Sequence, residues 1–103
     1  MNELPQALCA WFAENDEQLR SRGVTGEIQR SPDDGRPKSS AWMTVETDDY
    51  GAVLIVWDSG EAELECGGST GNGIRREHRD LRTVDELHDA VESLLGWVRA
   101  KRG

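Results

Sequence analysis

The stretch VLIVWDSGEAELEC, residues 53–66, has a different hydrophobic pattern on each side of a short polar corner. Residues 51–57 are apolar at nearly every position, so the strand is apolar on both faces, which marks a central strand. Residues 61–66 alternate apolar side chains with three glutamates, the period-two pattern of a strand with one buried face. The stretch therefore predicts two antiparallel strands joined by a tight turn.

The length of that turn decides which side chains share a face of the sheet. If residues 59–60 alone form the loop, Trp57 lies opposite Ala62 and points into the core. If residues 58–60 form a three-residue loop, Trp57 lies opposite Glu61. The three-residue loop fits the local chemistry better, because an aspartate begins the turn and a glycine falls where a positive φ is needed.

The three-residue loop sorts the strand residues into two faces. The face toward the helices is apolar and comprises Ala41, Met43, Val45, Ala52, Leu54, Val56, Ala62, Leu64 and Cys66. The other face mixes aromatic, aliphatic and acidic side chains and comprises Trp42, Glu46, Val53, Ile55, Trp57, Glu61, Glu63 and Glu65.

The remaining elements follow from periodicity and from turn residues. Apolar residues at helical spacing predict a helix over 4–22, which Gly23 ends. Residues 24–31 form a weak edge strand interrupted by a glycine, and residues 41–47 alternate as a regular strand. Residues 74–81 are strongly charged, with arginines interleaved between acids, and predict a further strand with a salt-bridged surface at an edge of the sheet.

The clearest helix is the last element of the chain. Thr83 and Glu86 form a capping box, and a stripe of apolar residues follows them. Helix, four or five antiparallel strands, then helix is an α+β order, with both helices packed on one face of the sheet. A length of 103 residues is that of one domain, so residues 1–103 are expected to fold as a unit.

The charge balance limits the class of partner. The chain has 20 acidic and 12 basic residues, a net charge of −8, which repels nucleic acid and anionic lipid and attracts a basic protein surface. The sequence has no apolar run of the roughly 20 residues that cross a bilayer, and its N-terminus lacks the pattern of a signal peptide. We therefore expect a protein partner and a cytoplasmic location.

Catalytic chemistry has little support in the sequence. His78 and His88 have no metal-ligand spacing to either cysteine, and Asp48 and Asp49 lack the ordered spacing of a calcium loop. The glycines of residues 67–73 are not followed by the lysine of a phosphate-binding loop. We predict a protein that is not an enzyme and that has no catalytic residues, metal or cofactor.

The candidate site is instead a partner-binding surface. Tryptophans surrounded by polar residues are what protein interfaces favour, and an uncovered apolar patch marks a contact site. The predicted partner-binding residues are Trp42, Glu46, Asp48, Asp49, Tyr50, Ile55, Trp57, Asp58, Glu61, Glu63 and Glu65. The alternative is that the loop of residues 31–40, or a second copy of the chain, covers this face.

Several segments together resemble a known family. They are the helix with Trp11, the strand AWMTVET (41–47) with its DDY turn, and the segment VWDSGEAELE, residues 56–65. Glu77-His78 and the helix that begins near Glu86-Leu87 extend the similarity over most of the chain. In this order the segments resemble the TriTu immunity proteins.

The resemblance implies a function that the composition alone does not. TriTu proteins are antidotes of TreTu-type toxins, ADP-ribosyltransferases that Rhs proteins of type VI secretion systems deliver and that modify elongation factor Tu. The resemblance implies that the chain binds such a toxin in a 1:1 complex and occludes its active site. The acidic margin would then pair with basic residues that line the cleft of the toxin. The loop SPDDGRPK and the connector at 67–73 depart from the family pattern, which leaves the identity of the toxin open.

Two other classes of function are compatible with a small α+β chain. An effector-binding secretion chaperone would form a dimer and bind an extended segment instead of a folded toxin. An enzyme acting on a small ligand would need a deep polar pocket with a titratable group of strongly shifted pKa.

Overall fold

The computed structural model describes residues 3–31, 39–47, 50–68 and 75–100. Within them the chain forms two helices and five strands, which are α1 (Glu3–Ser21), β1 (Thr25–Arg30), β2 (Ser40–Glu46), β3 (Tyr50–Trp57), β4 (Glu61–Gly68), β5 (Arg75–Asp80) and α2 (Val84–Ala100). The strands make one antiparallel sheet in the order β1-β2-β3-β4-β5. The predicted α+β class is confirmed, and so are the central position of β3 and the edge positions of β1 and β5.

The corner between β3 and β4 has the three-residue loop. Val56 pairs with Ala62 in the sheet, so the next pair outward places Trp57 opposite Glu61. The Gly60 N–H donates to the Trp57 carbonyl oxygen at 2.9 Å, and Gly60 has a φ of 99°. Glycine adopts this left-handed conformation without a steric penalty, which confirms the register that the turn residues favoured.

Both helices pack on one face of the sheet, as predicted. Helix α1 contacts β1, β2 and β3, whereas α2 contacts β3 and β4, and the two helices contact each other. The nine residues assigned to the helix-facing side of β2, β3 and β4 are all buried. They join the apolar stripes of the helices in one core that comprises Leu4, Leu8, Phe12, Leu19, Val24, Ala41, Met43, Val45, Ala52, Leu54, Val56, Ala62, Leu64, Cys66, Leu81, Leu87, Ala90, Val91, Leu94, Leu95, Trp97 and Val98.

Local hydrogen bonds fix the ends of the helices. At the end of α1 the Val24 N–H donates to the Leu19 carbonyl and the Gly23 N–H donates to the Arg20 carbonyl, which is the Schellman pattern. At the start of α2 the Glu86 N–H donates to Thr83 Oγ1 at 3.1 Å, and the Thr83 N–H donates to Glu86 Oε1 at 3.2 Å. The predicted capping box is therefore confirmed.

The glycine in β1 does not interrupt the strand, which pairs with β2 from Thr25 to Arg30. Gly26 faces the helices, and a Cβ atom at this position would lie 2.7 Å from Cε1 of Phe12. The residue is small because the Phe12 ring packs directly on the backbone of β1.

Neither helix of the described residues has the length and apolar character that a membrane span requires.

Candidate partner-binding surface

The face of the sheet opposite the helices is called the open face. Because side chains alternate along each strand, the strand pairing assigns one set of residues to it. They are Thr25, Glu27 and Gln29 of β1, Ser40, Trp42, Thr44 and Glu46 of β2, Val53, Ile55 and Trp57 of β3, Glu61, Glu63 and Glu65 of β4, and Arg76, His78 and Asp80 of β5.

The strand register aligns these residues in rows across the sheet. One row runs through Gln29, Trp42, Ile55, Glu63 and His78, each directly opposite the next. Directly opposed side chains on one face lie in contact distance of each other. The row therefore changes from polar at β1 to apolar at the centre, and then to an acidic residue at β4 and a histidine at β5.

Aromatic and aliphatic side chains form the centre of the open face. Trp42 lies opposite Ile55, and Trp57 lies opposite Ser40, so the two tryptophans are diagonal neighbours on adjacent strands. Both tryptophans are partly exposed, and so are Ile55, which lies next to both of them, and Val53 beyond it on β3. Neither tryptophan is enclosed in the core, so the predicted projection of these side chains away from the helices is confirmed.

Acidic side chains form one margin of this centre, on β4. Glu63 is exposed, whereas Glu61 and Glu65 are half-buried. Glu65 Oε2 forms an ion pair with Arg76 Nε at 3.3 Å across the β4–β5 pair. Glu63 Oε1 lies 3.9 Å from Nδ1 of His78. The margin is thus an acidic row that Arg76 of β5 compensates in part. The sequence assigned arginines to salt bridges on this strand, and the Arg76 contact agrees.

Other predicted residues lie away from the centre of the open face. Tyr50 is on the helix-facing side of β3, where it packs against the core. Asp58 is at the corner after β3, where its Oδ2 accepts bonds from the N–H and Oγ of Ser39, each at 3.3 Å. This aspartate therefore ties the start of β2 to the corner. Glu46 is on the open face but at the opposite end from Trp57, opposite Thr25 and Gly51.

Two of the predicted residues, Asp48 and Asp49, lie outside the described residues, as do residues 32–38 of the loop between β1 and β2. The seven predicted residues that share the open face are Trp42, Glu46, Ile55, Trp57, Glu61, Glu63 and Glu65. Among the residues that the structure describes, none of the predicted partner-binding residues belongs to a cluster of histidine, cysteine and carboxylate side chains that could hold a metal ion.

The open face also holds residues that were not predicted as part of the site. Gln29 and Thr44 flank Trp42, and Arg76 and His78 flank the acidic row. Alternation along each strand could have placed these side chains on a face. Their alignment with the tryptophans could not be predicted from the sequence, because it depends on the pairing of strands that long connections separate.

Comparison with known proteins gives the family. A family model described as "Immunity protein TriTu" matches residues 6–97, from the first helix to the second. The chain belongs to the TriTu immunity protein family. The resemblance that the sequence showed is thereby confirmed, and the match includes every strand of the open face. No curated protein and no solved structure gives a significant match to the chain.

Membership in the TriTu family establishes the general role of the chain. An immunity protein binds a cognate toxin and neutralises it, so a toxin is the partner of this chain. The family also indicates a non-enzymatic inhibitor. A TriTu protein needs a surface that stays accessible until the toxin binds, and the partly exposed apolar centre of the open face has this property.

Proposed function

We propose that this TriTu protein neutralises its toxin by laying the open face over the active site of the toxin in a 1:1 complex. The observation that supports this surface is the partly exposed cluster of Trp42, Ile55 and Trp57 on the pleated surface of β2 and β3. Aromatic anchors surrounded by polar residues contribute most of the free energy of binding at protein interfaces. Inhibition of this kind requires slow dissociation and no turnover.

The charge of the open face adds a preference for the charge of the partner. The β4 glutamates border the tryptophans on one side only, and the net charge of the chain is −8. A toxin cleft with basic residues along one rim would pair with this margin and would be captured faster than a neutral surface. Arg76 already neutralises part of Glu65, so Glu63 is the carboxylate best placed to meet a basic residue.

The proposed toxin is an ADP-ribosyltransferase of the TreTu type, delivered by an Rhs protein of a type VI secretion system. The sequence resemblance and the family membership support this choice. The chain would act in the cytoplasm, where it would cover the NAD cleft of the toxin and so protect elongation factor Tu.

Co-expression with the toxin tests the surface. The toxin domain is taken from the reading frame directly upstream and is expressed with the wild-type chain, Trp57→Ala or Glu63→Lys. We expect the wild type to restore growth and both variants to restore less of it. Glu14→Lys makes the same charge change as Glu63→Lys on an exposed position of α1, so it should rescue like the wild type. Full rescue by both open-face variants would exclude this face as the binding surface.

Assays with purified proteins test the mechanism separately. The toxin domain is incubated with labelled NAD and elongation factor Tu, and label transfer is expected to stop at one molar equivalent of the chain. Binding of NAD to the toxin is measured in the presence of the chain, and occlusion requires that the signal is lost. A toxin that still binds NAD while it is inhibited would contradict occlusion. A toxin that transfers no label would contradict the proposed chemistry and leave the neutralising role intact.

A further inference from the structure

Strand β5 forms an edge of the sheet with an unusual order of charges. Among the described strands it pairs with β4 alone. The Leu81 N–H donates to the Gly60 carbonyl oxygen, toward β4, at 2.7 Å. Because backbone directions alternate along an antiparallel strand, the N–H and C=O groups of Arg76, His78 and Asp80 point away from β4, along the edge.

The charges on β5 are antisymmetric about His78. Moving outward from this residue, Glu77 and Arg79 have opposite charges, and so do Arg76 and Asp80. A strand of this kind is complementary to an antiparallel copy of itself. The strand also carries three arginines against two acids, so its charges nearly balance, whereas the whole chain has a net charge of −8. Repulsion between two copies is therefore weakened at this edge.

We propose that two copies of the chain associate through β5, in an antiparallel pair centred on His78, to make one continuous ten-stranded sheet. In this register Arg76 lies opposite Asp80 of the other copy, and Glu77 lies opposite Arg79 of the other copy. The three residues whose backbone groups point outward then face each other, as hydrogen-bonded pairs require. The occupant of this edge is thus a second copy of the same chain.

The neighbouring registers are disfavoured by charge. The outward backbone groups allow shifts of two residues only, in either direction. One such shift places Glu77 opposite Glu77 and Arg75 opposite Arg79, and the other places Arg79 opposite Arg79. Like charges directly opposite each other destabilise a strand pair. The charge pattern therefore selects one register and does more than prevent unspecific pairing at an exposed edge.

Side-chain contacts within one copy are compatible with this pairing. Arg79 already binds Glu77 of its own strand and donates to Ser93 of α2 at 3.1 Å, which holds both side chains at the edge on the helix side. On the other side Arg76 contacts Glu65. Pairing would extend these contacts into alternating networks that cross the two copies. A contact made by one strand is small, so we expect association in the micromolar to millimolar range.

The arrangement leaves the open face of each copy uncovered, and the two faces point to the same side of the extended sheet. This dimer goes beyond the proposed function and does not depend on it. Absence of the dimer would leave toxin binding by the open face unchanged, and absence of toxin binding would leave the dimer unchanged.

Charge reversal with mutual rescue tests the dimer. Sedimentation equilibrium over a concentration series is measured for the wild type, Glu77→Arg and Arg79→Glu. Each variant places like charges at both symmetric positions, and we expect the dissociation constant to rise at least about tenfold. Mixing the two variants restores opposite charges at every position, so a heterodimer with near wild-type affinity should form in native mass spectrometry.

Controls separate loss of pairing from loss of folding. Circular dichroism and urea unfolding of each variant show whether the monomer is intact. Glu92→Arg and Arg22→Glu make the same charge changes at exposed positions elsewhere and should leave the dissociation constant unchanged. Amide hydrogen exchange of Arg76, His78 and Asp80 should slow as the concentration of the wild type rises.

Three results would overturn the proposal. One is a wild-type chain that stays monomeric at the highest concentration reached. Another is a failure of charge reversal: either the dimer persists in both reversal variants, or both variants are folded and their mixture does not restore the dimer. The third is a dimer that Trp57→Ala dissociates, because that would place the open face and not β5 at the interface.

Discussion

Gly60 shows how one residue fixes the face on which every β4 side chain lies. It has a φ of 99°, and a Cβ atom at this position would lie 2.4 Å from the carbonyl oxygen of Leu81. We expect Gly60→Ala to lower the free energy of unfolding by about 2–4 kcal/mol, because left-handed strain and overlap with backbone add. Urea unfolding measures this loss. Ser59→Ala, at the exposed neighbour, should change it by less than about 0.5 kcal/mol. Equal stability of the two variants would contradict this role of the turn.

At the same scale, the two tryptophans should differ from their polar neighbours in binding the toxin. We expect Trp42→Ala and Trp57→Ala each to weaken binding by about 2 kcal/mol or more, because large anchors at the centre of an interface dominate its free energy. Thr44→Ala, on the same face, should cost less than about 1 kcal/mol. Isothermal titration calorimetry with the toxin domain measures all three. A larger loss for Thr44→Ala than for both tryptophans would displace the centre of the interface.

At the scale of the element, the start of α2 depends on the reciprocal bonds of Thr83 and Glu86. Glu86 Oε1 also accepts a bond from the Arg82 N–H at 2.6 Å, so one carboxylate satisfies two backbone donors. We expect Thr83→Ala to lower the free energy of unfolding by about 0.5–2 kcal/mol. Glu92→Ala, exposed in the middle of the same helix, is the control and should be nearly neutral. Thermal unfolding followed by circular dichroism distinguishes the two, and identical midpoints would show that the cap contributes nothing.

The contact between α1 and β1 is a second feature at this scale. The Phe12 ring occupies the space that a side chain of Gly26 would need. We expect Gly26→Val to cost about 1–3 kcal/mol by overpacking, although valine favours strands. In a double-mutant cycle, Phe12→Leu should reduce this penalty, because leucine has no ring at the contact. Strictly additive effects in urea unfolding would mean that the two residues are not in contact.

At the scale of the whole molecule, the excess of acidic residues should act on the rate of toxin capture. A net charge of −8 attracts a basic cleft over distances that salt shortens. We expect the association rate constant to fall as salt increases, with a smaller change in the dissociation rate constant. Stopped-flow fluorescence measures both, and Glu63→Lys should reduce the salt dependence more than Glu14→Lys does. An association rate that does not respond to salt would exclude steering by charge.

The order of the elements and the two faces of β3 and β4 could be predicted from the sequence. Leu54, Leu64 and Cys66 are buried as the period-two pattern indicated, and the turn residues selected the correct register. The capping box likewise located the start of α2. Both the turn and the cap could be predicted because these signals act between residues that are close in the chain.

The composition of the open face was predicted only in part. Tyr50 was expected at the site, but the alternation of β3 turns it toward the helices, and Asp58 bonds to Ser39 across the corner. Arg76 was expected to form salt bridges, but the sequence did not show that its partner would be Glu65. These outcomes depend on how neighbouring strands align.

The sequence by itself therefore determined the fold class, the buried face of β2, β3 and β4, the corner at Gly60 and, through the quoted segments, the family. Only the tertiary structure decided which strands lie side by side and which charges of β5 compensate those of β4. The physical reason is that propensity, capping and turn geometry act over a few residues, whereas a row across five strands depends on the register of every pair and on the core that holds them together.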